Sequence, residues 1–224
     1  IKYAFTDAFP AGEGVLLTIP PFPIFLMLPL FKRKPAPFAK AGIKAGIKEE
    51  NMNGVQPEVI YEDNSVIAVR KPCNQPTAPD ESGDVSLLDT VKEYIKIKYS
   101  KPGQVYIGLV HRLDRPACGI VVFARNSKSA ARLSEQVRTH TMHRIYYAVV
   151  RSRPAKTKGT LTDYLLKDQK TNTVRVVKEG TEGAKRAELS YEVLKTAGSG
   201  ENMLTLVRVR LKTGRPHQIR GQFA

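Results

Sequence analysis

The sequence predicts an α+β fold built on a mixed, largely antiparallel sheet flanked by helices. Three observations carry that prediction. Strand-like segments are numerous, whereas only two segments show a good helical period. Strands and helices do not alternate as a doubly wound parallel sheet requires. No Gly-rich dinucleotide or phosphate loop is present. The 224 residues, 42% hydrophobic and 25% charged, are ordinary for a globular chain with one sizeable core, and they exclude wholesale disorder.

Taken in order, residues 1–56 read as a leader or extension outside the main domain, disordered or loosely attached. Its apolar stretch, residues 15–31, contains Pro20, Pro21, Pro23 and Pro29. Prolines break a helix and the run is short for a bilayer span, so no membrane span is expected. Lys32, Arg33 and Lys34 follow, then Ala-Gly-Ile-Lys twice, at 41–44 and 45–48. The Arg- and Ser-rich amphipathic look of a targeting peptide is missing. The expected compartment is the cytoplasm, or an organelle (mitochondrion or plastid) if the leader is a targeting segment.

From residue 57 the pattern becomes regular. Segments 59–61 and 66–69 read as strands around the turn Glu62-Asp63-Asn64-Ser65. Ser86 can cap a helix whose Leu87, Leu88, Val91, Tyr94 and Ile95 share a face. Residues 119–125 read as a buried strand. Asn126-Ser127 starts a second helix, with Ala130, Leu133 and Val137 at helical spacing. Segments 145–150, 174–177, 187–194 and 204–211 read as further strands. In the last, Val207, Val209 and Leu211 alternate with Arg208 and Arg210, which gives one buried and one basic face.

Lys and Arg number 36 against 21 Asp and Glu, a formal charge of +15. Such an excess points to a polyanionic partner, nucleic acid first, against the blander reading of a solvated basic surface. The two cysteines, Cys73 and Cys118, make neither a disulfide framework nor a zinc site, so a reducing compartment is the default. His140 and His143 are three apart without a fitting Cys or carboxylate, so no metal is expected. No Gly-x-Ser-x-Gly elbow is present.

Three clusters can carry chemistry. His111-Arg112-Leu113-Asp114, with Arg115 beyond, places a carboxylate among arginines beside an apolar run. Neighbouring cations keep such an Asp ionised, fit to act as nucleophile or general base, although a structural ion pair is the commoner reason for the pattern. Thr213-Gly214-Arg215-Pro216-His217-Gln218-Ile219-Arg220 packs turn formers and hydrogen-bonding groups into eight positions. A capped helix start is its plain reading. In His143-Arg144-Ile145-Tyr146-Tyr147-Ala148 the two tyrosines face opposite sides of a strand. One can pack in a core while the other faces a cleft and stacks on a base.

In this order the clusters resemble the RluA-type family of RNA pseudouridine synthases. The matches are His111-Arg112-Leu113-Asp114 with Gly119, Arg144-x-Tyr146-x-Ala148, and Leu211-x-Thr213-Gly214-Arg215-x-His217-Gln218-Ile219-Arg220. Val59-Ile60-Tyr61-Glu62-Asp63 and Val69-x-Lys71-Pro72 resemble the family's first strands. The resemblance implies a pseudouridine synthase fold with a central active-site cleft, over residues 57–224. It implies an isomerase that detaches the uracil of a chosen uridine, turns it and rejoins it through carbon 5, with no cofactor and no metal. Asp114 matches the catalytic aspartate, Tyr146 the tyrosine that stacks on the target base, and Arg220 the arginine paired with the carboxylate. Arg112 matches the arginine that fills the space of the flipped uridine. His111, Arg115, Arg215, His217 and Gln218 are expected to help bind RNA. The partner is ribosomal or transfer RNA, and the protein is expected to be a monomer. Residues 167–186 hold six basic residues (Lys167, Lys170, Arg175, Lys178, Lys185 and Arg186) and read as an RNA-gripping hairpin or a solvated one.

The sequence also departs from the family. Cys118 stands where a small hydroxyl residue is commoner and reads as a packing position. Asn74 replaces a glycine, and Asn is the next best residue for a left-handed turn. The chain stops at Ala224, where the family continues with a segment that closes the sheet, so a C-terminally truncated domain is expected. No S4-type RNA-binding module is evident in the leader. A catalytically inactive RNA-binding protein or RNA chaperone of the same fold is the alternative, and a hydrolase using Asp114 and His217 a remote one.

Overall fold

The computed structural model describes residues 56–224 and the short strand β1 (Val15–Leu16). The remainder of the expected leader lies outside the described residues. Two compact units are present. The first holds residues 56–143, and the second holds β1 and Arg144–Ala224.

The first unit carries a four-stranded antiparallel sheet. Its strands are β2 (Glu58–Glu62), β3 (Val66–Lys71), β4 (Gly108–Leu109) and β5 (Gly119–Ala124), in the order β2-β3-β5-β4. The turn into β3 forms because Asp63 Oδ1 accepts from the Ser65 and Val66 N–H groups, each at 2.7 Å. One face of the sheet buries Ile67, Val69, Val121 and Phe123 completely. On the other face Val66, Val122 and Ala124 pack with Leu133 and Met142. Helix α1 (Leu87–Lys98) starts where the Asp89 N–H donates to Ser86 Oγ, and it buries Leu87, Val91 and Ile95. Helix α2 (Ser127–Arg138) starts where the Ser129 N–H donates to Asn126 Oδ1 at 2.8 Å.

The second unit carries a six-stranded antiparallel sheet. Its further strands are β6 (Arg144–Arg151), β7 (Lys158–Lys167), β8 (Val174–Val177), β9 (Lys185–Ala197) and β10 (Leu204–Leu211), in the order β1-β6-β10-β9-β7-β8. Ala148, Val150, Leu189, Val207 and Val209 form its core together with Ile219 of the short helix α3 (Gln218–Gln222). The opposite face carries Arg208 and Arg210, as the alternation in the sequence requires.

The α+β class, both long helices and the strands 174–177 and 204–211 match the sequence reading. Every strand pair among the described residues is antiparallel, and the strands divide into two sheets. Strand β4 falls within the apolar run 107–110 that borders the Asp114 loop, whereas strand β7 was not expected. In β7, Gly159, Leu161, Asp163 and Leu165 face the core side, and Asp163 breaks the apolar pattern. Its carboxylate is satisfied by Gln222 Nε2 of α3 at 2.7 Å, a partner that local sequence does not reveal. Strand β9 runs past the expected end at 194 because the register shifts between Leu206 and Val207 of β10. Leu194 is the extra residue of that bulge.

Candidate active site

Asp114 and its supports belong to the first unit. Strand β4 ends at Leu109, opposite Phe123. The next N–H along that edge of β5, from Val122, donates to His111 Nε2 at 3.0 Å. The imidazole thus continues the ladder after the backbone has left it, and its Nε2 carries no proton. Buried Thr77 fixes the next step, donating from Oγ1 to the Leu113 carbonyl at 2.7 Å and accepting from the Leu113 N–H at 3.2 Å. The Ala117 N–H donates to the Asp114 carbonyl at 3.0 Å and closes the turn. Asp114 itself is half-buried and Arg112 is exposed.

Lys71, at the end of β3, is fully buried beneath this loop. Its ammonium donates to the carbonyls of Pro72 at 2.9 Å, Gln75 at 2.7 Å and Arg115 at 3.0 Å. Burial pushes it down to about 8, against the opposing pull of Cys73, Cys118 and Asp114. The Arg115 carbonyl also accepts from the Asn74 N–H, and Asn74 adopts the expected left-handed conformation with φ 65°. The Arg115 guanidinium donates to Ser82 Oγ at 2.8 Å and pairs with Asp84 and, at 3.6 Å, with Asp80. Lys71 and Thr77 received no role in the sequence reading. The Lys-Pro pair was the available signal, but the three carbonyls that explain it are brought together only by folding.

Tyr146, Arg215, His217, Gln218 and Arg220 belong to the second unit. Tyr146 on β6 lies opposite Val209 of β10 and packs, half-buried, against the core. Tyr147 faces the other side, opposite Arg208. The turn after β10 is organised by Gln218, which is only 3% exposed. Its Oε1 accepts from Thr213 Oγ1 at 2.8 Å and from the Arg215 N–H at 3.0 Å. Its Nε2 donates to the Glu188 carbonyl at 3.1 Å and to Gln222 Oε1 at 2.9 Å. The Gln218 amide is thus spent inside the protein. Arg215 Nε donates to the Arg186 carbonyl at 3.0 Å. His217 takes a left-handed conformation, φ 49°, just before α3, which carries half-buried Arg220. The Arg144 guanidinium lies over Gly214, where a Cβ would stand 2.5 Å from it and make that flexible side chain shift.

The sequence profile of the RNA pseudouridylate synthase family matches residues 65–224. The chain belongs to that family. It is 30% identical over 184 residues to an uncharacterized RNA pseudouridine synthase of Bacillus subtilis (strain 168), covering 80% of this chain and 58% of that protein. It is 30% identical over 166 residues to the dual-specificity RNA pseudouridine synthase RluA of Vibrio vulnificus (strain CMCP6), covering 73% and 62%. The family is therefore of the RluA type, and the chain spans little more than half the length of these relatives. Human RNA pseudouridylate synthase domain containing 4 has the same fold, with a TM-score of 0.60, 21% identity, and coverage of 73% of this chain and 62% of that one. Among the described residues, no helix of this pseudouridylate synthase family member is long and apolar enough to cross a membrane. No three His, Cys, Asp or Glu among them gather as metal ligands.

Proposed function

We propose that this chain is an RNA pseudouridine synthase that isomerises chosen uridines of structured ribosomal or transfer RNA, with residues 57–224 as its catalytic domain. The observation that carries the reading is the braced loop of Asp114 within a chain whose residues 65–224 match the family. In the reaction the N1–C1′ bond of uridine breaks and a C5–C1′ bond forms. Carbon 5 gives up its proton and N1 gains one, so atoms balance without cofactor or metal. Asp114 is the essential carboxylate, acting as nucleophile or general base. Arg220 is its charge partner, and Tyr146 offers an aromatic face to the extruded base. Extrusion costs a few kcal/mol, and Arg112 offsets part of it by filling the vacated stack. Arg115, His111, Arg215 and His217 order the surface that meets RNA, and Gln218 shapes the turn that presents Arg215.

RNA tritiated at uracil carbon 5 tests this reading. The wild-type chain is expected to release tritium. Asp114→Ala, with unchanged circular dichroism, is expected to lose the release by roughly a hundredfold to ten-thousandfold. Equal release by both proteins removes Asp114 from the chemistry. RNA binding without any release marks an inactive RNA-binding protein of the same fold.

A further inference from the structure

The only two cysteines of the chain, Cys73 and Cys118, are far apart in sequence. The first sheet brings them together. Lys71 on β3 is the register partner of Gly119 on β5. Beyond that pair the ladder is interrupted, and it resumes where the Asn74 N–H donates to the Arg115 carbonyl at 2.8 Å. Cys73 lies in this gap on one segment and Cys118 on the other, with their thiols near enough to influence each other and the Lys71 ammonium. Both are free thiols, Cys73 exposed and Cys118 half-buried. Continuing the register from Lys71 and Gly119 sets Cys118 across from Pro72, so Cys73 is its diagonal neighbour rather than its facing partner, within the Cα range that a disulfide can span.

We propose that Cys73 and Cys118 form a dithiol modification site, which a small-molecule disulfide such as glutathione disulfide converts reversibly into an intramolecular disulfide. Exposed Cys73 attacks first. Its thiolate bonds to one sulfur of the oxidant, the oxidant's S–S bond breaks, and one glutathione thiolate leaves. The Cys118 thiolate then attacks the Cys73 sulfur and expels the second glutathione. Two protein thiols are oxidised, one glutathione disulfide is reduced to two thiols, and the protons pass to solvent and the leaving thiolates. Burial pushes the Cys73 thiol up, and contact with Cys118 adds to this against the pull of Lys71 and Arg70. The exchange is therefore slow at neutral pH and faster as pH rises.

The new bond ties the turn after β3 to the loop that carries Asp114. The two sulfurs must close to about 2.05 Å. All three acceptors of the Lys71 ammonium lie on the segments drawn together, so the closure disturbs the support beneath that loop. Resting on the isomerase reading, oxidation then lowers turnover.

The experiment treats the full chain with glutathione disulfide at mildly alkaline pH. It then counts free thiols, maps peptides and measures tritium release. Both thiols are expected to disappear together, with a Cys73–Cys118 cross-linked peptide that dithiothreitol reverses. Cys73→Ser is expected to give no such peptide. Retained glutathione on the wild-type chain, cross-links between chains, or two unreacted thiols overturn the site. Tritium release is expected to fall about a hundredfold on oxidation of the wild type, the cost of a small misplacement at a reacting centre, and to stay unchanged in Cys73→Ser. A cross-linked protein with undiminished release overturns the link to turnover. No release from the reduced wild type overturns the isomerase reading instead, while the thiol count and the peptide map still decide the disulfide.

Discussion

Lys71 concentrates more consequence than any other single side chain of the first unit. A lysine seldom sits at zero exposure, and here its three donors meet three carbonyls from the two segments that frame Asp114. Lys71→Met keeps the apolar stem and removes every donor. A buried acceptor left without a donor costs about 1–3 kcal/mol, and water entering the space recovers part of it. Urea unfolding of Lys71→Met is therefore expected to show a loss of about 3 kcal/mol. Lys71→Arg is not expected to restore it, because a planar fork does not reproduce three diverging donors. A midpoint equal to wild type in Lys71→Met shows that the three carbonyls need no cap. Asn74 was legible at this scale, because a left-handed turn admits few residue types. The role of Lys71 was not, because no local pattern announces three carbonyls on two distant segments.

At the scale of elements, the clearest joint is the one that ties α1 to the sheet. Glu62, at the end of β2, accepts from Tyr94 at 3.0 Å, Lys98 at 2.7 Å and Tyr99 at 2.6 Å, and it pairs with Arg125 at 3.0 Å. Burial pushes its carboxyl up, but the bonds from Lys98, Tyr99 and Tyr94 together outweigh that and hold it below the ordinary range. A carboxyl lowered on folding contributes stability that is complete above its unfolded value near 4.5 and is lost as pH falls through the folded value. Glu62→Gln is expected to cost about 1–2 kcal/mol at neutral pH, and the gap to wild type should narrow below pH about 4.5. Urea midpoints across pH check this, and a constant gap dismisses the ionised carboxylate as the cause. The sequence placed the strand at 59–61 and the helix after Ser86 from period and cap, but it put Glu62 in the turn, whereas β2 runs through it. It could not show the joint itself, which depends on residues over thirty positions apart. Strand β7 was missed for a related reason: the core-facing Asp163 looks like a loop residue until Gln222 reaches it.

At the scale of the whole molecule, the charge of +15 divides into +3 over residues 1–56 and +12 over residues 57–224. Residues 167–186, around strand β8, hold six cations and three acids (Asp168, Glu179 and Glu182), a net +3 of that +12. β8 pairs only with β7, through Tyr164–Lys167 against Val174–Val177, so its other edge is open among the described residues. Exposed Lys170, Arg175 and Lys178 sit on or beside it. Two physical roles compete for these charges. Positive side chains at an open edge discourage pairing with another chain. Phosphate contacts release counterions on RNA binding and steepen its salt dependence. The triple variant Lys170→Gln, Arg175→Gln, Lys178→Gln separates the two. If the three residues grip RNA, affinity drops for all RNA sequences alike, and the slope of log Kd against log salt flattens by roughly two to three. If they only guard the edge, affinity and slope stay as in wild type, while light scattering reports self-association. The first outcome is the expected one, because edge protection needs a single well-placed charge, whereas this hairpin presents three exposed cations.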